Sequence, residues 1–83
     1  MKPTDEDIFV LAYFEAEDRR RKNVHIPCAL AQLASRAPNR PEMTKNTLFH
    51  GWLADVGGKQ YALTLSGQQH LADALRAEEQ GHA

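Results

Sequence analysis

The sequence predicts one α+β domain, mainly helical, in which three helices form the core and a short β-hairpin leads to a C-terminal helix. Three observations point there. Up to Gly51, apolar residues recur at helical spacing in segments broken by prolines. From Trp52 to Leu65 they alternate around Gly57-Gly58, and after Ser66 the helical spacing returns. The length of 83 residues allows one domain, because so short a chain buries only about 60–65% of its unfolded surface and cannot fill two cores.

Thr4 is a cap for a first helix over about residues 5–22, with Asp5, Glu6 and Asp7 at the positive end of its dipole and Arg19, Arg20, Arg21 and Lys22 at the negative end. Ile8, Leu11 and Ala12 form one apolar face, Phe9 and Tyr13 a second, Val10 and Phe14 a third. A helix apolar nearly all round needs cover on every side. Phe9, Tyr13 and Phe14 are therefore expected either in the core or at the interface of a homodimer.

Val24-His25-Ile26 is β-branched and precedes Pro27, which favours an extended conformation and predicts a minimal strand at 24–26. Ala29, Leu30, Leu33 and Ala34 give a second helix over 27–36, which Pro38 forbids from continuing. After a break at 37–40, Pro41 opens a third helix running through Met43, Thr47 and Leu48 to Gly51. Residues 52–65 read as a hairpin whose turn is Gly57-Gly58, since both positions of a type I′ turn need positive φ. Thr64 or Ser66 then caps a last helix over 66–79 carrying Leu71, Ala74 and Leu75, with Ser66 and Gln69 at capping-box spacing. Repeats, low-complexity stretches and linkers are absent from the sequence.

Ten Lys and Arg against eleven Asp and Glu give a net charge of −1, an unpromising total for a partner of nucleic acid. The distribution is uneven. Acids gather at the two ends, whereas from Arg19 to Lys59 eight basic residues face only Glu42 and Asp55. Local charge is what a phosphate backbone meets. The single cysteine, Cys28, forms no internal disulfide, and the amino terminus lacks the basic-then-apolar layout of a signal peptide, so the cytoplasm is the expected location. The apolar run from Ile8 to Phe14 is too short to span a membrane.

The order helix, short strand, helix, helix, hairpin, helix, together with Gly51, Trp52-Leu53 and the run Tyr61-Ala62-Leu63-Thr64-Leu65-Ser66-Gly67, resembles the winged helix-turn-helix superfamily of bacterial transcriptional regulators. The resemblance covers most of the chain as architecture and about a quarter of it as distinctive residues. It implies a recognition helix at 41–51, a wing at 52–65 and sequence-specific binding of double-stranded DNA as a small homodimeric regulator of bacterial or phage type, such as a compact repressor or an accessory factor of a mobile element. In that geometry the third helix enters the major groove, about 12 Å wide, and the wing reaches phosphates or the adjacent minor groove.

Two registers compete for the third helix. If Thr44, Thr47, Leu48 and Gly51 face the core, Glu42, Lys45, Asn46 and Phe49 face outward; if Pro41, Leu48, Phe49 and Trp52 face it, Met43, Asn46, Thr47 and His50 do. Asn46 is outward in both and matches an adenine edge, so its replacement is expected to cost specificity and leave folding unaffected. Lys45 is a guanine reader or a phosphate contact, Thr44 and His50 are further candidates on the same helix, and Asn39, Arg40, Lys59 and Gln60 are placed for phosphate. A wing without arginines, the acidic total and Phe49 favour a different class of function, a winged helix that docks on another protein or serves as an accessory subunit.

Arg19 to Lys22 is either a phosphate clamp or, as we favour, dipole compensation on a solvated face. His25 and Cys28 have H-x-x-C spacing, but a structural zinc site needs four ligands and the other histidines are distant, so no metal is expected. Cys28 is expected as a small buried residue and Trp52 as a cover for the core beside the third helix. The sequence contains neither a nucleotide-binding glycine motif nor a nucleophile–base–acid set, so neither a cofactor nor enzymatic activity is expected.

Overall fold

The computed structural model describes residues 2–36, 41–58 and 60–81, with the backbone alone at 36, 41–43, 79 and 81. Its elements run α1 (Asp5–Arg21), α2 (Cys28–Arg36), α3 (Pro41–Phe49), β1 (Leu53–Gly57), β2 (Gln60–Leu63) and α4 (Leu65–Gly81), mainly helical with one antiparallel hairpin.

Helix α1 is the centre of the fold because it is apolar on several sides. Ile8, Val10, Leu11 and Ala12 are all buried, and α2, α3, α4 and β2 pack around the helix. Leu30 and Leu33 of α2, Trp52, Leu53 and Leu71 of α4 complete the core. Phe9 and Phe14 are half-buried against it, and the Phe14 ring meets Tyr61 of β2 edge-on at 5.5 Å and Tyr13 at 5.3 Å. Phe9, Tyr13 and Phe14, expected either in the core or between two subunits, are thus each half-buried, the first and last against the core and all three bordering open grooves.

The start of α1 carries a full capping box. Thr4 Oγ1 accepts a hydrogen bond from the Asp7 backbone N–H (3.2 Å), and Asp7 Oδ2 accepts from both the backbone N–H and the hydroxyl of Thr4 (2.9 Å each). At its other end Asn23 takes φ +58°, its N–H reaches the Arg20 carbonyl (3.1 Å), and the Val24 N–H reaches that of Arg19 (2.8 Å). This is a Schellman termination with Asn in the left-handed position. It corrects the strand expected at 24–26: Val24 has already committed its N–H to the helix end, and among the described residues no strand pairs with this segment. Cys28, expected to be buried, is exposed at the first position of α2.

Helix α3 ends the same way, with Gly51 (φ +76°) donating to Leu48 O at 3.1 Å and Trp52 donating to Thr47 O at 3.0 Å. The chain then turns sharply into β1, which pairs Leu53 with Leu63 and Asp55 with Tyr61. The turn differs from the two-glycine type I′ form expected. Register slips between Asp55 and Gly57, Asp55 Oδ1 accepts from the Gly57 N–H (2.8 Å), and the last strand pair is Gly57 with Gln60. Val56 is therefore the extra residue of a bulge, and Gly57 is the last paired residue of β1 and not the first turn residue.

Thr64 caps α4 and Ser66 does not. Its hydroxyl accepts from the Gly67 N–H (3.1 Å) and donates to Gly51 O (2.6 Å), while its own N–H donates to Trp52 O (3.1 Å). One residue thus joins the end of α3, the start of β1 and the start of α4. Gly67 fits beneath because it has no side chain: a β-carbon there would overlap the Trp52 carbonyl oxygen and lie 3.0 Å from its carbon. Backbone on backbone cannot yield by a rotamer change. Gly67→Ala is accordingly expected to destabilise the fold by about 1–3 kcal/mol despite the better helix propensity of alanine, measured as a lowered Tm and denaturation midpoint. An unchanged Tm would mean that the α4 start is free to move.

Candidate nucleic-acid interface

Helix α3 lies against α1 through Thr47, which is wholly buried, and Leu48, which packs on the core. Thr47 is polar, yet its hydroxyl donates to the Thr44 carbonyl at 2.8 Å and so enters the core satisfied. This decides between the two registers. Thr44, Thr47 and Leu48 face inward, and Lys45, Asn46 and Phe49 face outward, with Phe49 85% exposed.

The other candidates divide. His50, just past α3, is half-buried and stacks on the buried Trp52 with ring centroids 4.7 Å apart. Trp52 covers the core as expected and meets His70 on its other side (5.2 Å). Gln60 is exposed on β2 and borders a groove with Tyr13, Phe14, Glu17, Arg21 and Tyr61. Asn39, Arg40 and Lys59 lie outside the described residues. Asn46 sits opposite Asp7, whereas Gln60 sits by Glu17. Ten residues of α1 separate those two positions, so Asn46 and Gln60 lie by opposite halves of that helix.

Asn46 is exposed as a residue but its amide is not free. Its Nδ2 donates to Asp7 Oδ1 at 2.7 Å, and the Asp7 residue is only 3% exposed. Both carboxylate oxygens are thereby occupied, Oδ2 by Thr4 and Oδ1 by Asn46. The expectation that Asn46 is dispensable for folding is corrected by this contact. Sequence reasoning placed Asp7 with Asp5 and Glu6 as a dipole partner and missed its inward position. The signal was available, since residues 7, 10, 11 and 14 share one helical face and Val10, Leu11 and Phe14 are its other members.

The basic run is largely paired with acids of the preceding turn. Arg19 pairs with Glu15 (2.8 Å) and Arg20 with Glu17 within α1, and Lys22, the residue that ends it, pairs with Asp18 (3.0 Å). Arg21 makes no ion pair among the described residues and borders the groove beside Gln60. Asp5 and Glu6 are exposed on the first turn of α1, so negative charge stands near the outward face of α3 and Lys45 is the described cation on that face.

No protein family, no curated protein and no solved structure matches this chain.

Removing the Asn46 amide leaves a buried carboxylate oxygen without its partner, which costs about 1–3 kcal/mol, whereas an exposed lysine truncation stays within about 0.5 kcal/mol. Asn46→Ala should therefore lower the urea midpoint clearly and Lys45→Ala should not. Equal midpoints for the two variants would mean that the Asp7–Asn46 bond contributes nothing in solution.

Proposed function

We propose that this chain is a winged helix domain that binds double-stranded DNA through the outward face of α3, acting as a small regulator of transcription of the repressor kind. Support comes above all from the register of α3. A short helix anchored by Thr47 and Leu48 turns Lys45 and Asn46, a cation and a donor–acceptor side chain, to solvent on one face, and a hairpin follows directly. Such a helix is suited to the major groove, which is about 12 Å wide. Gln60 and Arg21, at the hairpin end, are positioned for backbone contacts rather than for reading bases.

Two chains on adjacent half-sites about 34 Å apart would give the dimeric form of this activity on a palindrome. The half-buried Phe9, Tyr13 and Phe14 of α1 are the apolar surface through which two such chains would meet. Sedimentation of the free protein at tens of micromolar should give a dimer of the 9.3 kDa chain. A monomer at that concentration would count against the dimeric form.

A second reading is favoured by one observation, the 85% exposure of the Phe49 ring on the same face as Lys45. A large exposed aromatic is an anchor for a protein partner, and exposed Asp5 and Glu6 nearby oppose phosphate. Titration against duplex DNA at two salt concentrations separates the two functions. DNA binding predicts affinity that falls with salt, with a slope of roughly −2 to −4 for two to four phosphate contacts, and Lys45→Ala should make the slope shallower by about one. Absence of any salt-dependent affinity for duplexes would leave the protein-docking function.

A further inference from the structure

A carboxylate can only accept hydrogen bonds, so an Asn amide placed against one has a single allowed orientation. Asn46 meets Asp7 Oδ1 at 2.7 Å, and the nitrogen must therefore be the end that faces inward. Turning the amide over would bring two acceptor oxygens to that distance. Asp7 cannot swing aside to permit it, because its second oxygen is held by both the N–H and the hydroxyl of Thr4 and the residue is 3% exposed. The Asn46 side chain, on an exposed residue, thus carries its Oδ1 and the remaining Nδ2 hydrogen into solvent in one fixed arrangement.

We propose that Asp7 is a positioning residue for base recognition: it fixes the Asn46 amide with nitrogen inward and oxygen outward, so that α3 selects a base presenting an exocyclic amine, adenine above all. This rests on the DNA-binding function proposed above and names what that site reads. Adenine offers N6–H to the outward oxygen and N7 to the remaining amide hydrogen, which satisfies both atoms. Cytosine offers only its N4 amine. Guanine and thymine present acceptors, O6 with N7 and O4, against the outward oxygen. A freely turning Asn would adapt to either pattern by a flip, and the buried carboxylate removes that freedom in advance, as an outer partner orients a ligating side chain at a metal.

The test is selection from a randomised duplex pool by the wild-type chain, Asp7→Asn and Thr4→Ala, followed by affinity for the enriched duplex at several salt concentrations. The wild type should enrich a site with one invariant adenine, preferred over guanine by roughly 5- to 150-fold. Asp7→Asn still accepts from Thr4 but can present its own amide nitrogen to residue 46. It should lose the adenine preference while the salt slope, which counts phosphate contacts, stays unchanged. Thr4→Ala removes the hydroxyl from Asp7 Oδ2 but leaves the N–H of residue 4 on that oxygen and the carboxylate facing Asn46, so it should lower the Tm and weaken the preference far less than Asp7→Asn does. If Asp7→Asn does not fold, the exchange Asp7→Asn with Asn46→Asp retains an amide–carboxylate bond and turns an acceptor-only group outward, which should move the preference from adenine to cytosine. Retention of the adenine preference by Asp7→Asn or by the exchange, or its loss to the same degree in Thr4→Ala, overturns the proposal. A wild-type chain that enriches no sequence but binds duplexes with a salt slope overturns it and leaves DNA binding standing. No salt-dependent binding at all overturns both.

Discussion

A buried carboxylate at the third position of α1 is the constraint on which the arrangement of the helices depends. Asp7 at 3% exposure would be costly if any of its acceptor sites were left open, and the chain closes them from two directions: Thr4, three residues before it, and Asn46, thirty-nine residues after it. The positive end of the α1 dipole favours the charge further. Such a group adds little net stability, because desolvation offsets most of what its hydrogen bonds gain. It acts instead by exclusion. Any register of α3 that withdraws the Asn46 amide leaves a charged oxygen unsatisfied, and the penalty for that exceeds the gain from making the bond. The outward face of Lys45, Asn46 and Phe49 follows from this one requirement together with the burial of Thr47.

The hairpin is positioned by a second junction of the same kind, built from backbone. Gly51 reverses the chain at the end of α3, Thr64 ties Gly51 and Trp52 to the start of α4, and Gly67 lets α4 approach the Trp52 carbonyl. The run from Tyr61 to Gly67 that resembles winged helix regulators thus has a mechanical meaning here. Tyr61 packs on Phe14, Leu63 faces Leu53, Thr64 caps a helix, and Gly67 makes room. Between the two junctions lies α1, covered by α2, α3, α4 and β2. Ile8, Val10, Leu11 and Ala12 of that helix are buried by the domain itself, and Phe9, Tyr13 and Phe14 are half-buried at its edges.

What the sequence disclosed depended on how local the deciding contact is. The four helices and the hairpin were legible from periodicity, and their ends fell within two residues of the observed ones because Thr4, Pro41, Gly51 and Gly57 act through nearest neighbours. The strand at 24–26 failed because Asn23 enters the left-handed region and diverts the Val24 N–H to the helix end, a competition that β-branched composition does not reveal. The hairpin turn was misplaced by one residue because the Asp55 carboxylate holds the Gly57 N–H and creates a bulge. At the site, Asn46 was identified as outward in both registers and Lys45 in one, but the tie from Asn46 to Asp7 joins residues thirty-nine positions apart and has no local signature. The stacking of His50 on Trp52 was illegible for a related reason, since it follows from the reversal at Gly51.

The energetic coupling between Asp7 and Asn46 tests this account most directly, because it isolates the bond from everything else either residue does. A double-mutant cycle of Asp7→Ala, Asn46→Ala and the combined variant, followed by urea unfolding, should give a coupling energy of about 1–3 kcal/mol, with the double variant less destabilised than the sum of the singles. Additivity within about 0.5 kcal/mol would contradict it, since α3 would then be held in place by apolar contacts alone and the buried carboxylate would set nothing.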